Sequence, residues 1–582
     1  VSIAARLARR LWRLPEPRCE VWPETLWLPT SDGTRLATLH LWPVGVADAP
    51  TLAIRTADGA LRAGRATRLL AWLAAQRGHH VLLQDVRGRY DSEGRFEPFR
   101  NEGRDGRELL EWAASQGWCD PTRIAVAGMG YAGFAAWAAL GEAPEHVAAI
   151  AVAFATSDPY LALHPGGAFA LATALEWSVA LGERERVSGS RLDLERAVLH
   201  RPAREADRVA LRRSDAYRAW ADHPRRDAVW DAIRARLPAT PPPALLLAGW
   251  WDACLDAQLR DYELLAEAAR AAGSAPPRIV LGPWPGVSAP VPGRRAGPFP
   301  SFPILALAEL TEFLDRSLRG TDAPAAGARY AVAGAGFREA PAWPPAESQP
   351  RALYLRSGGH AGADGSLAWE AAGDEPPDRF RYDPASPLPS PVRGLRPGTQ
   401  QRGIHGRPDL LSYTSAPLER DLVIAGPLRA VLYAESSAPD TDFTATLLHV
   451  GPDDRSACVA EGIARARWRG RGPEEKEPVW LEPGQAVRID VDLGAAAWRV
   501  PAGHRLRLLV SSSSVPRFDR NANAREEPAA CGPEAARPAE QVLHHSTERP
   551  SHLLLPVTGT HKSEGTEPSP PSPLLATSGA CS

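Results

Sequence analysis

The run Ile124-Ala-Val-Ala-Gly128-Met129-Gly130-Tyr131-Ala132-Gly133 constrains the fold of this 582-residue chain more than any other stretch. Ile124–Ala127 suits a buried strand, the glycines permit a sharp turn, and small residues continue as a helix through Leu140. The flanking sequence agrees. Strand patterns at Thr51–Ile54, Val81–Val86, Ile124–Ala127 and His146–Ala155 alternate with helical ones at Glu102–Trp118 and Tyr131–Leu140. Such alternation builds a mostly parallel sheet covered on both faces, an α/β fold.

The order breaks between Asp158 and Thr240, an Arg-, Ala- and Leu-rich stretch that reads as a helical insertion. It resumes at Ala244–Gly249, Ala257–Ala272, Arg278–Gly282 and Pro303–Leu318. The expected organisation is an α/β core over 22–157 and 241–320, a helical cap over 158–240 and a linker over 321–350. A C-terminal β-sandwich is expected over 351–557, from strands at Ala352–Leu355, Leu428–Glu435, Phe443–Val450, Val487–Asp492 and Arg505–Ser511. The Pro/Ser-rich tail 558–582 is expected to be disordered. In residues 1–21, Ile3, Leu7, Leu11 and Leu14 share one helical face, with Arg6, Arg9, Arg10 and Arg13 largely on the other. That pattern reads as a short helix docked on the fold, with a membrane-surface helix as the alternative.

Composition excludes several classes. A net charge of −2 gives no cationic field for nucleic acid. With 44% hydrophobic and 23% charged residues, global disorder is excluded. The six cysteines form no C-x-x-C pair, so neither a zinc ribbon nor a disulfide framework is expected, and no metal or cofactor. No apolar run reaches the roughly 18 residues of a membrane span. The expectation is a cytoplasmic protein without a transmembrane segment.

Ordered motifs carry a resemblance. Asp85-Val-Arg-Gly-Arg-Tyr-Asp-Ser-Glu-Gly94 is similar to a D-x-R-G-x-x-x-S-x-G loop, and Trp118-Cys-Asp120 precedes the strand–turn–helix. Gly249-Trp-Trp-Asp252 and Gly282-Pro-Trp-Pro-Gly286 follow, then Thr441-Asp442-Phe443, Gly503–Arg507, Pro516–Asn521 and Arg549–Pro556. In this order they resemble the family of cocaine esterase, α-amino-acid ester hydrolases and X-Pro dipeptidyl-peptidases, the CocE/NonD hydrolases. The resemblance implies an α/β-hydrolase core with a cap and a C-terminal jelly-roll. It also implies acyl transfer by a Ser–His–Asp triad on a nucleophile elbow.

Carried over by position, the triad is incomplete. The nucleophile position is Gly130 and the base position is Gly286; the acid position keeps Asp252. The oxyanion tyrosine of R-x-P-Y falls on Asp58, leaving the backbone N–H of Tyr131 as the remaining donor. The expectation is therefore a non-catalytic homologue whose old pocket takes a small acyl or peptide ligand, with the sandwich a candidate homo-oligomer interface. The alternative is an active ester or amide hydrolase using relocated residues, among which Cys254, Ser288, Ser157 and His164 are candidates. For each of these a buried, turn or loop role is the simpler reading. Asp85, Arg87 and Glu93 read as a loop tying the sheet to the cap, and His504 and Arg505 as packing residues. His544 and His545 should point to opposite faces of a strand, too divergent to share a metal.

Overall fold

The computed structural model describes residues 16–46, 48–59, 65–182, 191–210, 213–284, 286, 302–320, 326–361, 363–371, 373–390 and 407–558. The expectations for residues 1–15, for Ser288 and for 559–582 lie outside them.

The first sheet has ten strands: β1 (Val21–Pro29), β2 (Arg35–Pro43), β3 (Ala49–Thr56), β4 (His80–Asp85), β5 (Cys119–Met129), β6 (Ala149–Ala153), β7 (Ala244–Gly249), β8 (Arg278–Gly282), β9 (Gly327–Val332) and β10 (Gly336–Ala340). Their spatial order is β1-β2-β4-β3-β5-β6-β7-β8-β9-β10. Pairing is parallel from β4 through β9 and antiparallel at β1–β2, β2–β4 and β9–β10. Helices α1 (Arg65–Gln76) and α5 (Phe302–Arg319) cover one face; α2 (Glu102–Ala114), α3 (Tyr131–Glu142) and α4 (Leu255–Ala272) cover the other. Strand β7 shows why such strands read as continuous apolar runs: Leu245 and Leu247 enter one core, while Leu246 and Ala248 enter the other.

Short helices between Pro159 and Asp231 form the cap. The C-terminal part is a jelly-roll of eleven strands: β11 (Ser348–Arg356), β12 (Asp364–Ala368), β13 (Glu375–Tyr382), β14 (Leu410–Ser415), β15 (Leu422–Ser436), β16 (Asp442–Val450), β17 (Ser456–Arg465), β18 (Val487–Val500), β19 (Arg505–Ser511), β20 (Ala539–His545) and β21 (His552–Thr558).

Three expectations need correction. The stretch read as a linker holds β9 and β10, because Ala328, Tyr330 and Val332 alternate into the core and β9 extends the sheet beside β8. Helix α2 stops at Ala114, four residues early, and Ser115 to Trp118 turn into β5. The strand expected over 146–155 shrinks to β6, since Pro144–His146 is a 3-10 turn.

Cap and jelly-roll meet through a buried ionic lattice. Arg465 donates to Asp442 at 2.9 and 3.0 Å and to Asp519 at 2.8 Å. Asp519 in turn accepts the N–H of Phe169 in the cap at 3.0 Å, while its own N–H donates to Phe169 O. Asn521 bridges Asp442 and Asp440, and Asp440 also accepts from Arg467. These arginine and aspartate side chains are no more than 2% exposed, so each charge depends on its partners. Asp442→Ala strips Arg465 of its bidentate partner and is expected to cost about 3–5 kcal/mol. Urea unfolding followed by tryptophan fluorescence measures the loss.

Candidate active site

Strand β5 passes into α3 through Gly130, at φ 57° and ψ −124°. That conformation is strained for any residue with a Cβ and free for glycine. Gly130 N–H donates to Ala153 O at 2.9 Å, and its carbonyl accepts from Gly133 and Phe134, so the turn is held on both sides. A Cβ on Gly128 would lie 2.2 Å from Ala132 O, which leaves only glycine there. The elbow is thus fully formed, with no side chain at its apex.

The Tyr131 N–H is the first of α3, one of the donors a helix leaves without an intrahelical acceptor. Its side chain turns away from the apex. The hydroxyl donates to Glu102 Oε1 at 2.5 Å and accepts from Phe99 N–H at 2.9 Å, with the ring stacked on Phe99. Burial raises the pKa of both Tyr131 and Glu102. Sequence reasoning missed this pair, because nothing in a one-dimensional pattern joins a helix start to a residue 29 positions later.

Asp252 and Gly286, after the adjacent strands β7 and β8, are brought together. A Cβ on Gly286, at φ +105°, would fall 2.4 Å from Asp252 Oδ2. The carboxylate therefore occupies the space a side chain at 286 would enter. Its Oδ1 accepts the Cys254 N–H at 2.8 Å. Burial pushes the Asp252 pKa up to about 6, opposed by that bond. Gly130 follows β5, separated from β7 by β6, so the elbow and the acid share the C-terminal edge of the sheet. Asp58 is exposed after β3, its N–H donating to Thr56 Oγ1 at 3.1 Å.

Among the described residues, the candidate replacements Cys254, Ser157 and His164 are engaged elsewhere. Cys254 is buried, and burial with Asp252 and Asp261 nearby holds its thiol well above the usual range. Ser157 donates to Asp261 Oδ1 at 2.5 Å and its N–H to Oδ2 at 2.9 Å, a loop-fixing arrangement. His164 Nε2 lies 2.9 Å from Trp220 O, with its ring stacked on Tyr160. Burial lowers its pKa to about 3, so it is neutral. His544 pairs with Glu435 and His545 with Asp378, while His504 lies 2.8 Å from His449. Among the described residues no group of three or more His, Cys, Asp or Glu is arranged to hold a metal ion.

The loop after β4 differs from expectation. Arg87 grips Asp105 on α2 and Asp32 in the β1–β2 hairpin, and Glu93 pairs with Arg35 on β2, so both tie the loop to the core. Ties to the cap come from Arg89, which reaches Ala57 O at 2.9 Å and Ala180 O at 3.3 Å, and from Arg95, 3.7 Å from Asp215. Beside Asp252 lies a cavity of about 670 Å³ walled by the cap, α4 and the jelly-roll. Asp256, Asp261, Glu461 and Arg517 also line it.

Sequence comparison places this geometry in context. The X-Pro dipeptidyl-peptidase (S15 family) profile matches residues 32–287, and that of the X-Pro dipeptidyl-peptidase C-terminal non-catalytic domain matches 321–554. Cocaine esterase from Rhodococcus sp. (strain MB1 Bresler) is 31% identical over 568 residues, covering 91% of this chain and 97% of that protein. Two solved structures share the fold at TM-score 0.78 and 22% identity, each covering 94% of this chain and 98% of its own. One is an aminopeptidase from a marine-sediment Thaumarchaeota archaeon and the other an α-amino-acid ester hydrolase.

Two outcomes follow from the geometry. Gly130→Ser places a Cβ in the strained turn and is expected to cost about 1–3 kcal/mol, read as a lower Tm. Asp252 has a folded pKa of about 6 against 3.8 for the ordinary carboxyl. The unfolded chain ionises first, so this group's destabilising contribution grows as pH rises from 3.8 to about 6 and is complete above. Asp252→Asn is therefore expected to raise Tm at pH 8, with the gain shrinking towards pH 4, as calorimetry across that range would show.

Proposed function

Because the chain belongs to the CocE/NonD family of α/β-hydrolases related to X-Pro dipeptidyl-peptidases, whose reaction starts from a hydroxyl on the elbow, we propose that it is a non-catalytic homologue. Its pocket binds a small acyl or peptide ligand without cleaving it. The single observation that carries this reading is glycine at the apex of an otherwise intact elbow, at φ 57°.

Magnitudes support it. Removing the nucleophile or the base alone from a serine hydrolase costs about 10⁶-fold in kcat, roughly 8–9 kcal/mol of barrier. Here glycine stands at both positions, 130 and 286. The remaining catalysis in a disabled hydrolase comes from its oxyanion hole, and at the second donor position Asp58 offers a carboxylate that repels a developing oxyanion. The retained acid has no imidazole to orient; it serves its own turn through the Cys254 N–H. Among the described residues no relocated dyad competes with this reading, since Cys254 lies near two carboxylates and Ser157 is spent on Asp261.

Incubation with a fluorophosphonate probe, followed by intact-mass analysis, is expected to leave the protein unlabelled. A panel of p-nitrophenyl esters and X-Pro anilides should give no turnover above the buffer rate. Stoichiometric labelling, or turnover abolished by Cys254→Ala, would establish a working hydrolase instead.

A further inference from the structure

Two half-buried histidines of the jelly-roll are joined to a tryptophan at its seam with the core by hydrogen bonds that fix where every proton sits. Trp498, on β18, donates its Nε1–H to His449 Nδ1 at 3.0 Å. An indole nitrogen only donates, so His449 Nδ1 is bare and the neutral ring carries its proton on Nε2. His449 Nε2 lies 2.8 Å from Nδ1 of His504, in the β18–β19 turn. It must donate there, which leaves His504 Nδ1 bare as well. The two nitrogens open to a further proton are therefore both already acceptors.

The place of this chain in the fold gives it leverage. The turn after β9 is stitched to β18 around Trp498: Ala333 N–H donates to Ala497 O at 3.0 Å, and Arg499 N–H donates to Ala333 O at 2.9 Å. The Trp498 ring meets Trp251 edge-on, with centroids 6.4 Å apart and planes at 81°. Trp251 follows β7 and immediately precedes Asp252.

The charges around the two rings come in compensated sets. Asp421, in the loop before β15, lies in the field of His504 and is bound by Arg499 at 2.6 Å. In the β16–β17 turn, Asp454 lies 3.5 Å from Arg505 and Asp453 3.3 Å from Arg455. Opposite His449 stand the uncharged Ala457 on β17 and Leu506 on β19. Burial, with His504 adjacent, lowers the His449 pKa to about 4.

We propose that this chain is an acid-released latch between the jelly-roll and the core. A proton on His449 Nδ1 displaces the Trp498 donor directly. A proton on His504 Nδ1 reaches the same end by another route. That N–H then donates to His449 Nε2, whose own proton passes to solvent while another is taken up at Nδ1, and Nδ1–H faces the indole N–H. The charge-assisted bond between the rings is the stronger and survives, so the Trp498 bond is the one lost. Because the His449 pKa is held below its ordinary 6.5, the latch is whole above that pH and loosens as pH falls towards 4.

The test is fluorine NMR of the full chain labelled with fluorinated tryptophan, titrated over the acid range in which circular dichroism stays constant. The resonances of Trp498 and Trp251 are identified by their loss in Trp498→Phe and Trp251→Phe. Both are expected to shift with one midpoint between about pH 4 and 6.5. His449→Phe keeps a ring but removes the acceptor, and is expected to abolish the titration of Trp498. His504→Gln still accepts from His449 Nε2–H through its amide oxygen, and is expected to move the midpoint to lower pH; it decides the matter should His449→Phe fail to fold. A Trp498 resonance that stays fixed with pH in the parent, or titrates unchanged in the variants, overturns the proposal. So does a Trp498 shift that Trp251 does not share, since the latch would then end within the jelly-roll.

Discussion

Arg465 holds cap and sandwich in one arrangement. Its guanidinium is shared between Asp442, on the neighbouring strand β16, and Asp519, which also clasps the backbone of Phe169 in the cap. With all three side chains out of water, none of the charges has an alternative to its partners, so the seam closes in one register or leaves charges stranded. The cavity beside Asp252 is walled by the cap, α4 and the jelly-roll, and this seam joins the first of these walls to the last. A second latch runs nearby, where Arg225 donates to carbonyls of Gly472 and Glu475 and lies over the Trp468 ring.

Within that frame, the backbone of the turn at Gly130 is held on both sides by hydrogen bonds. The elbow keeps its bend, its cross-strand hydrogen bond to Ala153 and its helix N-terminus. A residue with a Cβ on such a turn stores backbone strain; the glycine at 130 is free of it. The acid behaves differently. Asp252 fills the space beside Gly286 and keeps a raised pKa from burial. Asp261, at about 7, shares that condition although hydrogen-bonded to Ser157. Among the carboxyls that line the cavity, Asp252 and Asp261 both resist ionisation because the enclosing walls desolvate them.

Local rules determined much of this in advance. Strand–helix alternation, the glycines of the elbow and the short C-terminal strands follow from side-chain period and backbone sterics, which neighbours in sequence largely decide. The identities at positions 130, 252 and 286 were readable for the same reason, through motif order. What only the tertiary structure decided were partnerships across long separations and the burial that sets charge. No local pattern says that Arg87 turns to Asp105 while Arg89 reaches the cap, or that Tyr131 meets Glu102. Nor does composition show that a Gly- and Ala-rich stretch becomes β9, since a strand at a sheet's margin is made by the neighbour it pairs with. The pKa of Asp252 belongs to the same class: desolvation is a property of the enclosing walls, and those walls come from three separate parts of the chain.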